Sequence, residues 1–204
     1  MGKVLAAVVA LLLMICAGVV VLGGYGGFEF WRVQKSAAEG EQEQIVEEVE
    51  AAEEVEAGKL RCAEGRAAYE AKEYDKAVDA LDACVTALPG DAAAIIDRGR
   101  AYARIERYER AEADLQKGLL LDGTRVDGWE TLAWVQVRLG DDAAAIESIA
   151  RWLALRPDAG DAYLMRADAQ YRLGLRMEGI QDAKHACDLG LPDGCTLEER
   201  MRAR

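Results

Sequence analysis

A period of 34 residues is the feature that most restricts what this chain can fold into. The tripeptide Gly-Arg-Ala begins at Gly65 and again at Gly99. Small residues stand at positions 65, 99, 133 and 167, and a series of alanines occupies positions 77, 111 and 145. Repeats of this length are typical of stacked units, each of which buries its apolar face against the next. The sequence therefore predicts a repeat architecture over its carboxy-terminal two-thirds.

Each period reads as two amphipathic stretches of about 14 residues joined by a short turn, such as Gly140-Asp141-Asp142. Small residues on both stretches allow the two backbones to approach closely. Pro89 and Pro157 follow second stretches two periods apart, and proline ends a helix. Aromatic residues make up only 6% of the chain, which favours closely packed helices over a β-sandwich. We therefore predict helix hairpins and an all-α fold.

This pattern resembles the tetratricopeptide repeat family, and the resemblance covers residues 58–190. It implies an α-solenoid of about four hairpins, at residues 58–91, 92–125, 126–159 and 160–190, the last of them divergent. Four residues depart from the family pattern: Arg61 replaces a large apolar residue and Trp152 a small one, and in the fourth hairpin Gly179 and Ala183 replace an alanine and a large apolar residue. Residues 191–204 are predicted to cap the stack, with a capping box at Thr196 and Glu199.

The first helices of such a solenoid line a concave groove that binds segments of partner proteins. The resemblance implies a groove lined by Arg66, Tyr69, Arg100, Arg104, Glu130, Trp134, Arg138, Leu164, Asp168, Tyr171 and Arg172. Guanidinium groups suit carboxylates, and aromatic faces suit stacking of side chains. We therefore expect the ligand to be an acidic or extended segment of a protein.

Alternative roles stay open for the most prominent of these residues. Arg104, Arg138 and Arg172 lie one period apart near the ends of first helices, where a cation also offsets the helix dipole without any ligand. Trp134 stands where the two preceding units carry arginine, so hairpin packing does not require an aromatic residue there. Its alternative role is partial burial against the next hairpin.

Four cysteines are candidates for disulfide bonds. Cys62 and Cys84 fall at equal heights on the two antiparallel helices of the first hairpin. The spacing of Cys187 and Cys195 resembles that of secreted cysteine-rich helical repeats, in which this pair forms a disulfide. Two bridges would require an oxidising compartment. The alternative is four buried thiols that pack as small apolar side chains. No C-x2-C pair of a structural zinc site occurs, and no metal is expected.

The amino-terminal residues 1–24 are predicted to form a transmembrane anchor. Val4 to Leu22 carries no charge over 19 residues, a length that as a helix matches a hydrocarbon core of about 30 Å. Aromatic residues follow, and then Arg32 and Lys35, as expected where a helix leaves a bilayer. We expect residues 4–22 to contact the membrane. The alternative is a cleaved secretory signal.

Residues 25–57 are predicted to form a membrane-exit segment and an acidic helical stalk. Nine glutamates and no lysine or arginine lie between residues 37 and 57, whereas residues 58–204 carry 22 basic and 27 acidic side chains. The net charge of the chain is −12, and an acidic chain repels phosphate backbones. A nucleic-acid partner is therefore not expected.

Nothing in the sequence indicates catalysis. His185 is the only histidine, and no phosphate-binding glycine motif is present, so we expect neither an enzyme nor a cofactor nor a small-molecule substrate. Our hypothesis is a single-pass membrane protein whose repeats act as a protein–protein interaction scaffold in the periplasm or another extracytoplasmic space. The alternatives are a structural subunit of an envelope or secretion complex, a periplasmic chaperone, and a repeat domain on the cytoplasmic face.

Overall fold

The repeat region consists of short helices arranged as consecutive hairpins. The computed structural model describes the backbone of residues 24–203 and the side chains of residue 39 and residues 42–203. Nine helices occupy these residues: α1 (Gly24–Glu70), α2 (Tyr74–Ala87), α3 (Ala92–Arg104), α4 (Tyr108–Leu121), α5 (Val126–Leu139), α6 (Asp142–Leu155), α7 (Gly160–Arg172), α8 (Arg176–Asp188) and α9 (Pro192–Ala203). The described residues contain no β-strand, and the predicted all-α solenoid is confirmed.

The predicted membrane span at residues 4–22 lies outside the described residues. Among the helices that are described, none is both long enough and apolar enough to cross a bilayer. Residues 1–53 form one compact unit and residues 54–204 another. In the first unit, the described side chains from residue 42 onward are all exposed. They include Ile45 and Val49, apolar residues among the glutamates of the predicted stalk.

The hairpins are tight because small residues stand where paired helices cross. A Cβ atom on Gly65 of α1 would lie 2.5 Å from Cγ of Leu81 in α2. One period later, a Cβ on Gly99 would lie 2.9 Å from Cγ of Leu115. Since both leucines are fully buried, a larger residue at either glycine would push the two helices apart.

Each hairpin turn contains one residue in the left-handed conformation. The residues are Lys72, Glu106, Gly140 and Gly174, with φ between 60° and 82°. They lie one period apart, immediately after the first helix of each hairpin. The turn geometry is therefore a property of the repeat and does not depend on whether glycine occupies the position.

Trp152, which departs from the family pattern, is part of the core. Its side chain is 4% exposed and belongs to one cluster with Ala133, Ala159 and Ala162. These small side chains leave room for the indole ring. The large residue is therefore matched by alanines around it, and α6 and α7 still pack against each other.

The first hairpin has a polar face on the side that points away from the second hairpin. In the second hairpin, Ile95, Arg98 and Tyr102 join α3 to α2: Ile95 packs in the cluster around Cys84, and the other two contact Asp82. One period earlier these positions carry Arg61, Glu64 and Ala68, and Arg61 pairs with Glu64 at 2.9 Å. Arg61 is thus explained, because within residues 24–203 no earlier hairpin covers this face.

The opposite end of the stack is covered by α9. Leu197 and Met201 are buried in one cluster with Ala167, Ile180 and Ala183. The helix begins at Pro192, earlier than the capping box at Thr196 predicted, because proline suits the first position of a helix. The Thr196 hydroxyl instead donates to the backbone oxygen of Asp193. The predicted capping segment, residues 191–204, therefore packs on the fourth hairpin, whereas Thr196 lies inside the helix and not at its start.

Candidate functional site

The concave face holds a pocket to which four first helices contribute. Its volume is about 310 Å³. Five of the predicted groove residues line it, namely Tyr69 of α1, Arg100 and Arg104 of α3, and Glu130 and Trp134 of α5. The remaining lining residues are Ala103, Asp127, Thr131 and Met165. We call this the central pocket. Its charged residues are balanced, with two arginines against two carboxylates.

Beside the central pocket, arginines surround two aspartates. Asp97 is only 6% exposed and contacts three guanidinium groups: Arg125 at 3.1 Å, Arg100 at 3.4 Å and Arg66 at 3.8 Å. These side chains also line a smaller cavity of about 240 Å³. Arg66 and Arg100 are predicted groove residues, whereas Arg125 was not predicted, because it precedes α5 in a loop that the helical pattern does not cover.

Asp127 completes this network. It accepts a hydrogen bond from Arg125 at 2.7 Å and pairs with Arg100 at 2.9 Å. The hydrogen bond from Arg125 and the charge of Arg100 hold the pKa of the Asp127 carboxyl below its usual value, although partial burial opposes the shift. The two carboxylates therefore offset two of the three guanidinium charges of Arg66, Arg100 and Arg125 from within the protein.

The three arginines at the ends of first helices contact the preceding hairpin. The guanidinium carbon of Arg104 lies 5.4 Å from the ring centre of Tyr74, and that of Arg138 lies 5.5 Å from the ring of Tyr108. Arg172 donates two hydrogen bonds, of 2.8 and 2.6 Å, to Asp142. The three partners are also one period apart, each at the start of a second helix. These arginines therefore form a series of contacts between neighbouring hairpins.

Trp134 connects this series to the central pocket. Its ring lies edge-on to Tyr108 with centroids 5.6 Å apart, and Arg138 lies 5.7 Å from its centre. The indole is partly buried against the core cluster that contains Leu115 and Leu132, yet it also lines the central pocket. Trp134 is therefore partly buried against Tyr108 of the preceding hairpin, not against the next hairpin, and it also lines the central pocket.

The last predicted groove residues lie apart from the central pocket. Leu164 and Asp168 line a separate, open groove between α7 and α9, with a volume of about 750 Å³. Tyr171 packs beside the cluster under α9, and Asp168 pairs with Arg172. We call the space between α7 and α9 the cap groove. The predicted residues therefore divide among three cavities and the ends of the hairpins.

A second kind of ion pair fastens helices within hairpins. Arg98 donates from Nε and Nη2 to the two oxygens of Asp114 at 2.6 and 2.8 Å, and from Nη1 to Asp82 at 2.8 Å. Two periods later, Arg166 binds both oxygens of Asp182. Hydrogen bonding to these carboxylates raises the pKa of both arginines. These ion pairs were not predicted, although the arginine and the aspartate each recur 68 residues, or two periods, later in the sequence.

The structure joins the four candidate cysteines as two disulfides, Cys62–Cys84 and Cys187–Cys195. The first links α1 to α2, with Cα atoms 5.0 Å apart, and lies in the core. The second links α8 to α9, with Cα atoms 4.7 Å apart, and is partly accessible to solvent. The two bridges therefore fasten the first hairpin and the capping helix, at opposite ends of the stack. The described residues contain no cluster of side chains suited to a metal ion.

Comparison with solved structures finds the same fold elsewhere. A crystal structure of MamA superposes with a TM-score of 0.64 at 19% identity, covering 72% of this chain and 87% of that one. A MamA fragment from Desulfovibrio magneticus RS-1 gives 0.62 at 19% identity, covering 66% and 76%. YrrB, described as a TPR protein with an unusual peptide-binding site, gives 0.64 at 18% identity, covering 68% and 73%. At these identities the likeness shows the fold alone.

Comparison by sequence gives the family. No curated protein matches the chain. The tetratricopeptide repeat model matches residues 62–124 and 130–178, which together make up more than half of the sequence. These ranges contain α3, α4, α6, α7 and most of α5, and all residues that line the central pocket except Asp127. The chain belongs to the tetratricopeptide repeat family.

Proposed function

We propose that this chain is a membrane-anchored scaffold whose concave face binds an extended segment of a partner protein, without catalysing a reaction. The observation that carries the proposal is the central pocket, in which Tyr69, Trp134 and Met165 offer apolar surface among charged residues. Side chains of this kind anchor peptides in proteins. The peptide-binding site described for YrrB, a protein of the same fold, supports this reading.

The internal partners of the arginines refine the proposed ligand. Arg100 pairs with Asp97 and Asp127, and Arg104 stacks on Tyr74. A bound carboxylate would have to compete with these contacts. We therefore propose that the central pocket selects an apolar or aromatic side chain of an extended segment, rather than an acidic one.

The proposed location is a membrane with the repeats on its extracytoplasmic side. The uncharged run from residue 4 to residue 22 is long enough to span a bilayer as a helix. The two disulfides favour an oxidising compartment, because reducing pools keep cytoplasmic thiols reduced. Anchoring would keep the groove close to partners in or near the same membrane.

Peptide selection on the intact chain tests the proposal. The full chain is reconstituted in lipid nanodiscs and used to select binders from a displayed library of random peptides. We expect the selected peptides to lose at least about tenfold in affinity for Thr131→Arg, because the new side chain would fill the central pocket and remove contacts worth at least 1.4 kcal/mol. Trp134→Ala should have a similar effect.

Thr86→Arg is the matched control. Thr86 and Thr131 both donate to the carbonyl oxygen four residues earlier in their helices, but Thr86 lies on α2 and does not line the central pocket. This variant should bind the peptides as the unchanged protein does. Equal binding by all variants would contradict the proposal and favour a structural subunit that uses another face.

A further inference from the structure

The cap groove differs from the central pocket in its charge. Its apolar surface comes from Leu164 and Met165 of α7 and Leu197 of α9. Three aspartates line it, at positions 161, 168 and 193, against a single arginine, Arg200. Asp168 already pairs with Arg172, whereas no ion pair of Asp161 or Asp193 occurs within residues 42–203. The cap groove therefore combines an apolar surface with an excess of negative charge.

The repeat register shows why Asp161 lacks a partner. Asp161 lies one period after Asp127, which is bound by Arg125 and Arg100. One period after these two arginines stand Ala159 and Trp134. The fourth hairpin thus keeps the aspartate of the third but has lost both of its cations. A cation from another molecule could take the place that the arginines hold around Asp127.

The two cavities adjoin along the concave face. Met165 lines both the central pocket and the cap groove. A single extended segment could therefore place one side chain against Trp134 and a later one against Leu164 and Leu197. A cation in that segment would then meet Asp161 and Asp193 at the edge of the apolar surface.

We infer that the cap groove binds a lysine or arginine of the partner segment, next to an apolar residue that packs on Leu164 and Leu197. This inference rests on the proposed function and names the chemistry of its ligand. A charged hydrogen bond to a carboxylate is about twice as strong as a neutral one, so the two aspartates give selectivity as well as affinity. The partner segment is cationic and apolar, in contrast to the acidic ligand expected from the sequence.

A peptide array on the intact chain tests this inference. The full chain in nanodiscs of uncharged-headgroup lipid is applied to short synthetic peptides that differ only in carrying Lys, Gln or Glu beside a Leu or Phe, and empty nanodiscs are the blank. We expect Lys peptides to bind about tenfold tighter than their Glu counterparts. The double variant Asp161→Asn/Asp193→Asn should remove this preference, and Asp161→Lys should reverse it.

Asp158→Asn is the matched control, because Asp158 is exposed in the turn before α7 and lines neither cavity. It should keep the preference for Lys. A role of Asp161 in offsetting the helix dipole alone would lower stability in the Asn variants and leave the preference unchanged.

Two failures can be told apart. If peptides bind in a manner that depends on Thr131 but is indifferent to Asp161 and Asp193, the inference is wrong and the proposed function stands. If no peptide binds in a manner sensitive to Thr131→Arg, both are wrong.

Discussion

Lys72 and Glu106, in the turns of the first two hairpins, adopt the left-handed backbone conformation that Gly140 and Gly174 adopt in the turns of the third and fourth. The Cβ atom of an L-residue costs about 1–2 kcal/mol in this conformation, and glycine avoids the cost. Glycine is in turn more flexible in the unfolded chain, which costs about 0.5–1 kcal/mol. At the scale of single residues, two of the four hairpin turns therefore store strain that the other two lack.

Replacing these residues by glycine should stabilise the protein. We expect Lys72→Gly and Glu106→Gly each to raise the free energy of unfolding by about 0.5–1 kcal/mol, because the gain in the turn exceeds the cost in the unfolded chain. Urea unfolding followed by circular dichroism measures the change. Gly140→Ala and Gly174→Ala provide the reverse comparison and should destabilise; stabilisation by either alanine would contradict this explanation.

An ion pair joins helices α3 and α4, and in the next hairpin uncharged residues occupy the two equivalent positions. Arg98 and Asp114 form a bidentate ion pair with little exposure of either side chain. One period later the same two positions carry Leu132 and Ser148, and Ser148 donates to Gln136 at 2.6 Å. At the scale of the element, the repeat thus accepts either an ion pair or an apolar residue facing a hydroxyl.

Removing one member of this pair should cost far more than exchanging both. We expect Arg98→Leu to lower the free energy of unfolding by about 3 kcal/mol, because Asp114 would stay buried without its partner. The double variant Arg98→Leu/Asp114→Ser reproduces the pair of the third hairpin and should lose less than half of that amount. Urea unfolding of the three proteins measures both values. Equal losses in the single and double variants would show that the ion pair itself is required.

The sequence was sufficient to predict where the second, third and fourth hairpins begin, because these boundaries depend on local patterns of small, apolar and turn residues. The helices α3, α5 and α7 begin at residues 92, 126 and 160, which are the first residues predicted for their repeats. The partners of groove side chains were not predictable in the same way. Arg104 reaches Tyr74 of the preceding hairpin, and Arg100 reaches Asp127 of the next one, so each of these contacts joins two hairpins. Their geometry depends on how the hairpins stack, which no single repeat encodes.

The whole stack is fastened at its two ends by unlike disulfides. Cys62 and Cys84 are 2% and 0% exposed, whereas Cys187 and Cys195 are both partly accessible. In a linear array the terminal units have a neighbour on one side only and are the first to open. Covalent links at the first hairpin and at α9 therefore stabilise the places with the fewest packing contacts.

Reduction of the folded protein should proceed in a fixed order. Thiol–disulfide exchange requires access to a sulfur atom, so a mild dithiol should reduce Cys187–Cys195 before Cys62–Cys84. Alkylation of the freed thiols over time, followed by mass spectrometry of peptides, measures the two rates. Cys16 lies outside the described residues, and its alkylation is measured on a separate peptide. Equal rates in the folded state, or earlier reduction of Cys62–Cys84, would contradict this order.

The polar face of the first hairpin has a consequence for the length of the array. A copy of the second repeat inserted between the second and third would meet the third repeat through its own second helix, as the second repeat does now. Its Arg98 and Tyr102, however, would face Gln116, which stands one period after Asp82, and would lose the charged contact that Asp82 provides. The same copy placed before residue 58 would set its second helix against the exposed ion pair of Arg61 and Glu64. The contacts between hairpins are therefore specific to each pair of neighbours, and a longer array requires changed side chains at the new joint as well as a new repeat.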